Sequence, residues 1–210
     1  MVKNSKCKIC RRLGVKLFLK SEKCLSSKCP MIKKPYPPGP KGTKRRRSLS
    51  EYGAELKEKQ KLRNWYNLEE RQFRKYVKET LGARRKVEDT ASLLIKTLES
   101  RFDNVVFRLG FAPSRFAARQ MISHRHLLVK GRPINISSYL VKKGDIIKVS
   151  EKSVKKNLFR NLPSILKKHK SPSWLQLNIE KLEGKVTGEP SLDEALPPAE
   201  ISSIFEYYSR

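Results

Sequence analysis

Hydrophobic residues recur with two different periods along the chain. Between Glu51 and residue 126 they repeat every three to four positions, which predicts amphipathic helices. Helix starts are expected near Asn67, before LEERQFRKYVKETLG, near Asp89, and at the N-cap Ser114, before RFAARQMISHRH. After residue 126 the period falls to two, which predicts short strands. We expect these strands at 127–130, 134–136, 139–141, 145–150 and 174–179.

This order predicts an α+β protein, with a mostly helical body and a second part in which helices pack on a small sheet of short strands. The prolines and glycines of PYPPGPKGTKRRRSLS indicate an extended linker, and a last short helix is expected at Ile201–Tyr208. We therefore place a cysteine-bearing module at 1–35, a basic linker at 36–50, the helical body at 51–92, completed by 172–210, and the sheet-bearing domain at 93–171.

The charge balance indicates the kind of partner. The chain has 48 Lys and Arg against 20 Asp and Glu, a formal net charge of +28. Self-repulsion of this size opposes compaction unless a polyanion neutralises it, and phosphate contacts on nucleic acid do so with release of counterions. A merely solubilising surface is the alternative, although solubility needs a net charge of only about 2–8. Residues 183–210 are acidic instead, so we expect this tail to contact protein rather than RNA.

All four cysteines lie near the N-terminus, where Cys7, Cys10, Cys24 and Cys29 form the pattern C-x2-C-x13-C-x4-C. Zinc takes four soft ligands in a tetrahedron, and it would replace the apolar core that so small a module lacks. Because four thiolates close the site, we expect one structural Zn2+ rather than a catalytic ion. Four unconnected thiols, an iron–sulfur cluster and a redox CxxC remain as alternatives. Disulfides are not expected, because neither a secretory signal nor a membrane span is visible.

The helix after Ser114 is predicted to have a basic side. Arg115, Arg119, Ser123 and His126 follow each other at steps of four, four and three residues, opposite an apolar side. Spaced cations suit phosphates, and polar donors suit RNA 2′-hydroxyls. The two histidines of this helix are expected either to contact a base or phosphate or to be ordinary surface residues.

Residues 99–150, ESRFDNVVFRLGFAPSRFAARQMISHRHLLVKGRPINISSYLVKKGDIIKVS, resemble the S-four RNA-binding domain, which implies helices packed on a small curved, mainly antiparallel sheet. With PYPPGPKG, SEYGAELKEKQKLR, ERQFRKY and the final IFEYYSR, the resemblance extends nearly end to end to the small-subunit ribosomal protein S-four family. The cysteine pattern is similar to that of its zinc-bearing bacterial or organellar members. The chain departs from the family at Arg125, which replaces a glycine and leaves the tight helix-to-strand bend in doubt.

The resemblance implies a structural constituent of the small ribosomal subunit, in a cytoplasmic bacterial ribosome or, alternatively, an organellar one. Such a protein binds the 5′ domain of 16S rRNA directly, nucleates subunit assembly, lines the channel through which mRNA enters, and maintains translational accuracy beside its neighbour, protein S-five. The run 44–47 contacts either mRNA or only rRNA phosphate. We expect RNA contacts at Lys44, Arg45, Arg46, Arg47, Lys61, Arg63, Arg71, Arg74, Arg115, Arg119, Gln120, Ser123, His124, Arg125, His126, Lys130 and Arg132.

Two other classes of protein fit the sequence less well. A pseudouridine synthase with this RNA-binding domain needs a large catalytic domain with a nucleophilic aspartate, and the segments outside the RNA-binding domain are too short for one. A zinc-bearing DNA-binding regulator usually dimerises, and no heptad seam is visible. We therefore expect no enzymatic activity, no small-molecule substrate and no membrane partner.

Overall fold

The computed structural model describes residues 6–20, 22–39, 48–83 and 89–210. The chain forms two compact units: Met1–Leu94 with Leu196–Arg210, and Ile95–Ala195. None of the described helices is long and apolar enough to cross a membrane.

The first unit begins with three short helices, α1 (Lys6–Leu13), α2 (Glu22–Leu25) and α3 (Pro30–Lys33). Their apolar core is small and consists of the buried Cys10, Leu13 and Leu17 with a few half-buried neighbours. The Arg11 guanidinium donates hydrogen bonds to the carbonyls of Lys34 at 2.9 Å and Tyr36 at 2.8 Å. These bonds attach the start of the proline-rich segment to α1.

The helical body consists of α4 (Glu51–Trp65), α5 (Glu70–Gly82) and the last helix, α13 (Ile201–Ser209), which packs on both. The Ser50 hydroxyl caps α4 by accepting from the Gly53 amide at 3.2 Å. The helix start expected near Asn67 lies further along the chain: Asn67 has a φ of 54°, a left-handed conformation that Asn tolerates, and α5 begins at Glu70. Helix α6 (Thr90–Glu99) starts as expected, with Asp89 Oδ1 accepting from the Ala91 amide at 2.9 Å.

Charged and aromatic side chains join the last helix to this body. Lys59 is 4% exposed, and its Nζ lies 2.7 Å from Glu70 Oε1 and 4.4 Å from the centroid of the Tyr207 ring. The Tyr208 hydroxyl donates to Glu70 at 2.9 Å. Burial would raise the pKa of Glu70, but the hydrogen bonds from Lys59 and Tyr208 and the charges of Lys59 and Arg63 outweigh it, so the pKa is lowered. The ionised carboxylate of Glu70 thus helps to hold α13 in place.

The second unit packs helices on a sheet whose strand order is β2-β1-β3-β5-β4, with every neighbouring pair antiparallel. Its core includes Val105, Leu109, Ile122, Ile147 and Val149, all nearly inaccessible to solvent. The helices are α7 (Phe102–Arg108), α8 (Arg115–Ser123), α9 (Glu151–Val154), α10 (Asn157–Arg160), α11 (Leu162–Lys168) and α12 (Leu192–Ala195); the strands are β1 (Leu127–Val129), β2 (Arg132–Pro133), β3 (Ile146–Val149), β4 (Leu175–Asn178) and β5 (Glu183–Val186).

The sheet confirms the expected α+β class but differs from the predicted strands. Residues 134–136 form no strand, and the segment 139–141 contributes only an isolated bridge between Leu140 and Arg101. Strand β5 was not predicted, because Glu-Gly-Lys-Val has no strand-like alternation of large side chains. It pairs with both β3 and β4, which places 172–195 in the second unit. The prediction that all of 172–210 completes the helical body is therefore wrong for 172–195.

Candidate nucleic-acid interface

Two buried carboxylates fix arginines of the second unit. Asp103 on α7 is 2% exposed and accepts hydrogen bonds from Arg101 Nη2 at 2.7 Å and from Arg119 Nη2 at 2.8 Å. A buried carboxylate is tolerated only where such donors replace its lost hydration. Arg119 on α8 remains 27% exposed, so Asp103 orients a guanidinium that still reaches the surface.

Glu99, which is 1% exposed, fixes Arg108 in the same way, and its Oε1 lies 4.0 Å from Arg115 Nη2. Arg108 donates Nε and Nη2 to the two Glu99 oxygens, each at 2.9 Å. Arg115 donates Nε to Asn104 Oδ1 at 2.6 Å, and its guanidinium lies 4.6 Å from the centroid of the Phe107 ring. Because Arg115 is only 8% exposed, the prediction that it belongs to an exposed row of RNA donors is wrong.

His126 is also buried, at 8% exposure. Its Nδ1 lies 2.9 Å from Ser153 Oγ, and its ring meets the Phe159 ring edge to face at 5.8 Å. Burial lowers the pKa of His126, and the nearby charges of Lys156 and His124 lower it further. The prediction that this ring is presented to RNA is therefore wrong, because α9 and α10 cover it.

The solvent-facing side of α8 is made by other residues than the predicted row. Phe116, Gln120 and His124 are exposed and follow each other at steps of four residues, so they share one side of the helix. Ser123 is exposed as well, and its hydroxyl donates to the Arg119 carbonyl at 3.0 Å. Helix α8 is capped as expected, with Ser114 Oγ accepting from the Ala117 amide at 3.2 Å.

The helix-to-strand bend after α8 forms with Arg125 at its centre. Arg125 has a φ of 56°, the left-handed region that favours glycine. Its amide donates to the Ile122 carbonyl at 2.8 Å, and the His126 amide donates to the Met121 carbonyl at 3.1 Å. The doubt about this bend is therefore removed: the chain makes it with an exposed arginine in the left-handed conformation.

The β1–β2 hairpin presents two further cations. Lys130 has a φ of 50° and Gly131 one of 77°, as a two-residue type I′ turn requires. Lys130 Nζ lies 2.6 Å from the buried carboxylate of Asp145, and hydrogen bonding to that carboxylate raises the pKa of Lys130. The side chain of Arg132 is exposed. Both predicted residues thus lie at the surface, and Lys130 is partly neutralised within the protein.

A group of exposed cations on α9 and α10 was missed as a site. Lys152, Lys155, Lys156 and Arg160 are all exposed. They adjoin the end of α8, because His126, three residues after that helix, contacts residues of both α9 and α10. The charge of Lys156 also lowers the pKa of His126. No local pattern in the sequence indicates the position of this group beside α8, because that position depends on the packing of His126.

The cations predicted to contact RNA from the first unit differ in whether they are already ion-paired within the protein. Lys61 Nζ pairs with Glu58 at 2.5 Å and Arg63 with Glu70 at 3.1 Å, so these cations are already partnered. Arg71 and Arg74 on α5 are exposed. The basic run Lys44, Arg45, Arg46 and Arg47 lies outside the described residues.

The four cysteines of the N-terminal module line one small cavity. Cys10, Cys24 and Cys29 are buried, Cys7 is half-buried, and none of the four forms a disulfide. Thiols gathered in this way have the chemistry of a zinc ligand set.

Two backbone amides point at these sulfur atoms. The Lys20 amide donates to Cys24 Sγ at 3.3 Å, and the Leu17 amide donates to Cys10. Burial raises the pKa of Cys10, the Leu17 bond offsets part of the rise, and the other three cysteines add to it. Within the ranges that the structure describes, no three His, Cys, Asp or Glu side chains form a group arranged to hold a metal ion. The zinc site therefore stays a prediction.

The fold and its surface define a nucleic-acid-binding protein. In the second unit the buried acids neutralise arginines internally, while the cations at the end of α8 and on α9 and α10 face solvent. Comparison with known proteins agrees: residues 1–99 match the family model "Ribosomal protein S4/S9 N-terminal domain", and residues 100–147 match the S4 domain.

Three bacterial relatives are similar over nearly their whole length, and each is named small ribosomal subunit protein uS4. The Thermus thermophilus protein is 46% identical over 204 residues, 97% of this chain and 96% of the relative. The Kosmotoga olearia protein is 44% identical over the same shares, and that of Syntrophus aciditrophicus is 43% identical over 99% of this chain and 98% of its own. The chain therefore belongs to the uS4 family of small ribosomal subunit proteins. Membership confirms that it is a ribosomal protein and not an enzyme.

Proposed function

We propose that the chain binds the 5′ domain of 16S rRNA directly, as a primary rRNA-binding protein, and thereby nucleates assembly of the small subunit. The observation that carries this proposal is the division of charge in the second unit. Asp103 and Glu99 neutralise arginines that pack inside, whereas many other cations of this unit remain exposed, among them Arg125 just after α8 and four in the segment of α9 and α10, Lys152, Lys155, Lys156 and Arg160.

Exposed cations of this kind contact phosphates, and they do not read sequence by themselves. The major groove of A-form RNA is too deep and narrow for side chains, so folded RNA is recognised by its shape and its backbone. The surface includes exposed lysines in α9 and between α9 and α10, and guanidiniums held by the fold, such as Arg119. Guanidiniums held in fixed positions bind best to phosphates that are themselves in fixed positions. A folded RNA offers such phosphates, whereas a flexible polyanion does not.

Filter binding over a salt series tests the proposal. We expect the affinity for the 5′ domain to exceed that for tRNA and for duplex DNA, and to persist to higher salt. The quadruple variant with Lys152, Lys155, Lys156 and Arg160 changed to Gln should weaken binding and lower the salt slope. Equal affinity for all three nucleic acids, with equal slopes, would contradict the proposal.

The proposal includes one structural Zn2+ held by the thiolates of Cys7, Cys10, Cys24 and Cys29. Support comes from the shared cavity, the absence of a disulfide at these positions and the amide hydrogen bonds to two of the sulfur atoms. Such N–H···S bonds stabilise coordinated thiolates from the outer shell. The module's own apolar core is small, so a metal would supply much of its folding free energy.

Metal analysis tests this part. We expect about one zinc ion per chain, released on thiol modification, and the loss of that zinc in the Cys10→Ser variant. The Ser27→Ala variant, at an exposed position of the same module, serves as the control and should keep its zinc. A zinc content near zero after folding in the presence of zinc would exclude the site.

The run 44–47 is proposed to contact incoming mRNA electrostatically. Its support is the sequence alone, a basic stretch after a proline-rich linker in a chain of this family. Changing all four residues to Gln should slow translation of a message with a stable stem more than that of an unstructured message. Equal effects on both messages would show that the run serves only rRNA phosphate.

The acidic residues that follow the sheet are proposed to face a neighbouring small-subunit protein, S-five, and so to affect translational accuracy. Residues 183–210 contain six acidic and only two basic residues, and Glu189 and Asp193 of this tail are exposed. Crosslinking of the reconstituted subunit should join this segment to S-five. Crosslinks only to rRNA would contradict the assignment. The ribosome itself is proposed to be bacterial and cytoplasmic, with an organellar ribosome as the alternative.

A further inference from the structure

The solvent-facing side of α8 contains a large aromatic side chain that phosphate binding does not require. Phe116 is 49% exposed, although it lies in the first turn of a helix whose opposite side packs into the core. Single exposed apolar residues are common on protein surfaces, so exposure alone indicates little. The neighbours of Phe116 give it significance: Gln120 and His124 stand one and two turns further along the same side.

This arrangement matches what an unpaired nucleotide requires. An aromatic ring offers a face on which a base stacks, whatever the base is. Side chains four residues apart on a helix have Cβ atoms about 6 Å apart, so a base on Phe116 would present its edge to the Gln120 amide. That amide has both donors and an acceptor. The partly exposed Arg119 lies between Phe116 and Gln120 in the sequence of α8, and its guanidinium is held by Asp103.

We propose that Phe116, Gln120 and Arg119 form a site for one unpaired RNA nucleotide, with the base stacked on Phe116, its edge at Gln120 and its phosphate at Arg119. This proposal rests on the proposed function, since it requires a folded RNA on this surface. It adds a contact that does not depend on charge. Unpaired bases in loops and bulges are the positions at which proteins read RNA sequence, so this site would supply base readout that the cationic surface lacks.

The salt dependence of binding separates stacking from charge. Stacking releases no counterions, so the Phe116→Leu variant should bind the 5′ domain roughly 5- to 100-fold more weakly at unchanged salt slope. The Phe116→Trp variant should bind within about threefold of the parent, because it keeps a π-face. Ile165→Ala is the control for loss of an exposed apolar side chain, since Ile165 on α11 is 53% exposed. It should leave binding unchanged.

Fluorescence gives a second readout. Stacking on a base should quench the added tryptophan of the Phe116→Trp variant when RNA is added, whereas the parent tryptophans are at most half-exposed. Three results would each overturn the stacking site and leave the proposed function standing: Phe116→Leu binding as tightly as the parent, a lowered salt slope in that variant, or unchanged fluorescence of Phe116→Trp at saturating RNA. If the parent chain itself fails to prefer the 5′ domain, the proposed function falls, and the stacking site with it.

Discussion

Replacing Arg125 by glycine should separate the cost of the helix-to-strand bend from the benefit of its cation. Arg125 has a φ of 56°, and a left-handed residue with a Cβ costs roughly 1–2 kcal/mol. Glycine removes this cost but loses about 0.5–1 kcal/mol because it is more flexible in the unfolded chain. Alanine keeps the strained backbone and removes the same charge. The comparison of Arg125→Gly with Arg125→Ala therefore isolates the strain.

We expect Arg125→Gly to be more stable than Arg125→Ala by about 0.5–1 kcal/mol. In a unit spanning Ile95–Ala195, about 1 kcal/mol corresponds to roughly 4–8 °C in Tm. Gln120 is the matched control, because it is exposed in regular helix and there alanine should exceed glycine by about 1 kcal/mol. The order of the two residues should thus invert between positions 120 and 125.

Denaturation by urea and by heat gives the stabilities, and filter binding gives the second half of the prediction. Both substitutions at Arg125 remove one cation, so both should lower the salt slope of RNA binding by about one. An Arg125→Ala variant as stable as Arg125→Gly would refute the reasoning about strain. An unchanged salt slope in both variants would show that the guanidinium contacts no phosphate.

Three further predictions concern stability. Burial lowers the pKa of His126 in the folded chain below its ordinary value of 6.5, so the unfolded chain takes up a proton first, and stability should drop as pH falls through 6.5 until the lowered folded pKa is passed. In urea denaturation, His126→Gln should lose this dependence, whereas His124→Gln should keep it. Burial would raise the pKa of Glu70, but its hydrogen bonds lower it in the folded state, so Glu70 stabilises the fold above pH 4.5 and this stabilisation is lost as pH falls through the folded pKa. In thermal melts, the Glu70→Gln variant should lose less stability at acid pH than the parent. An identical dependence on pH would contradict the role of Glu70. Gly184→Ala would place a Cβ 2.5 Å from the buried Leu109 side chain and should cost about 1–3 kcal/mol, whereas a neutral result would show that Leu109 moves freely.

The parts of the fold that depend on local patterns were predictable from the sequence. The N-cap residues Ser114 and Asp89 identified where α8 and α6 begin, because their hydroxyl and carboxylate groups bond free amides at a helix start. Strand β5 was missed because pairing across the sheet, rather than alternation along the strand, makes it a strand. Long-range pairing of this kind leaves little local signal.

In the candidate site, too, local spacing was predictable from the sequence and long-range packing was not. Helical spacing correctly placed Arg115, Arg119 and Ser123 near one another, but spacing cannot show which edge of a helix another element covers. Arg115 is buried, with Glu99 of α6 at 4.0 Å from its guanidinium, and α9 and α10 cover His126. The bend at Arg125 was in doubt from sequence because glycine is favoured there. The structure shows that the surrounding hydrogen bonds impose the left-handed conformation on an arginine.

Direct mapping of the RNA site tests the central claim most sharply. The zinc-loaded chain is mixed with complete, protein-free 16S rRNA at moderate salt, unprotected RNA is digested by nuclease, and the protected fragments are sequenced. The account predicts fragments from one region of the 5′ domain, and it predicts that they disappear with the Lys152, Lys155, Lys156 and Arg160 quadruple variant. Fragments spread evenly along the whole rRNA would contradict it and leave only a basic protein that binds any polyanion.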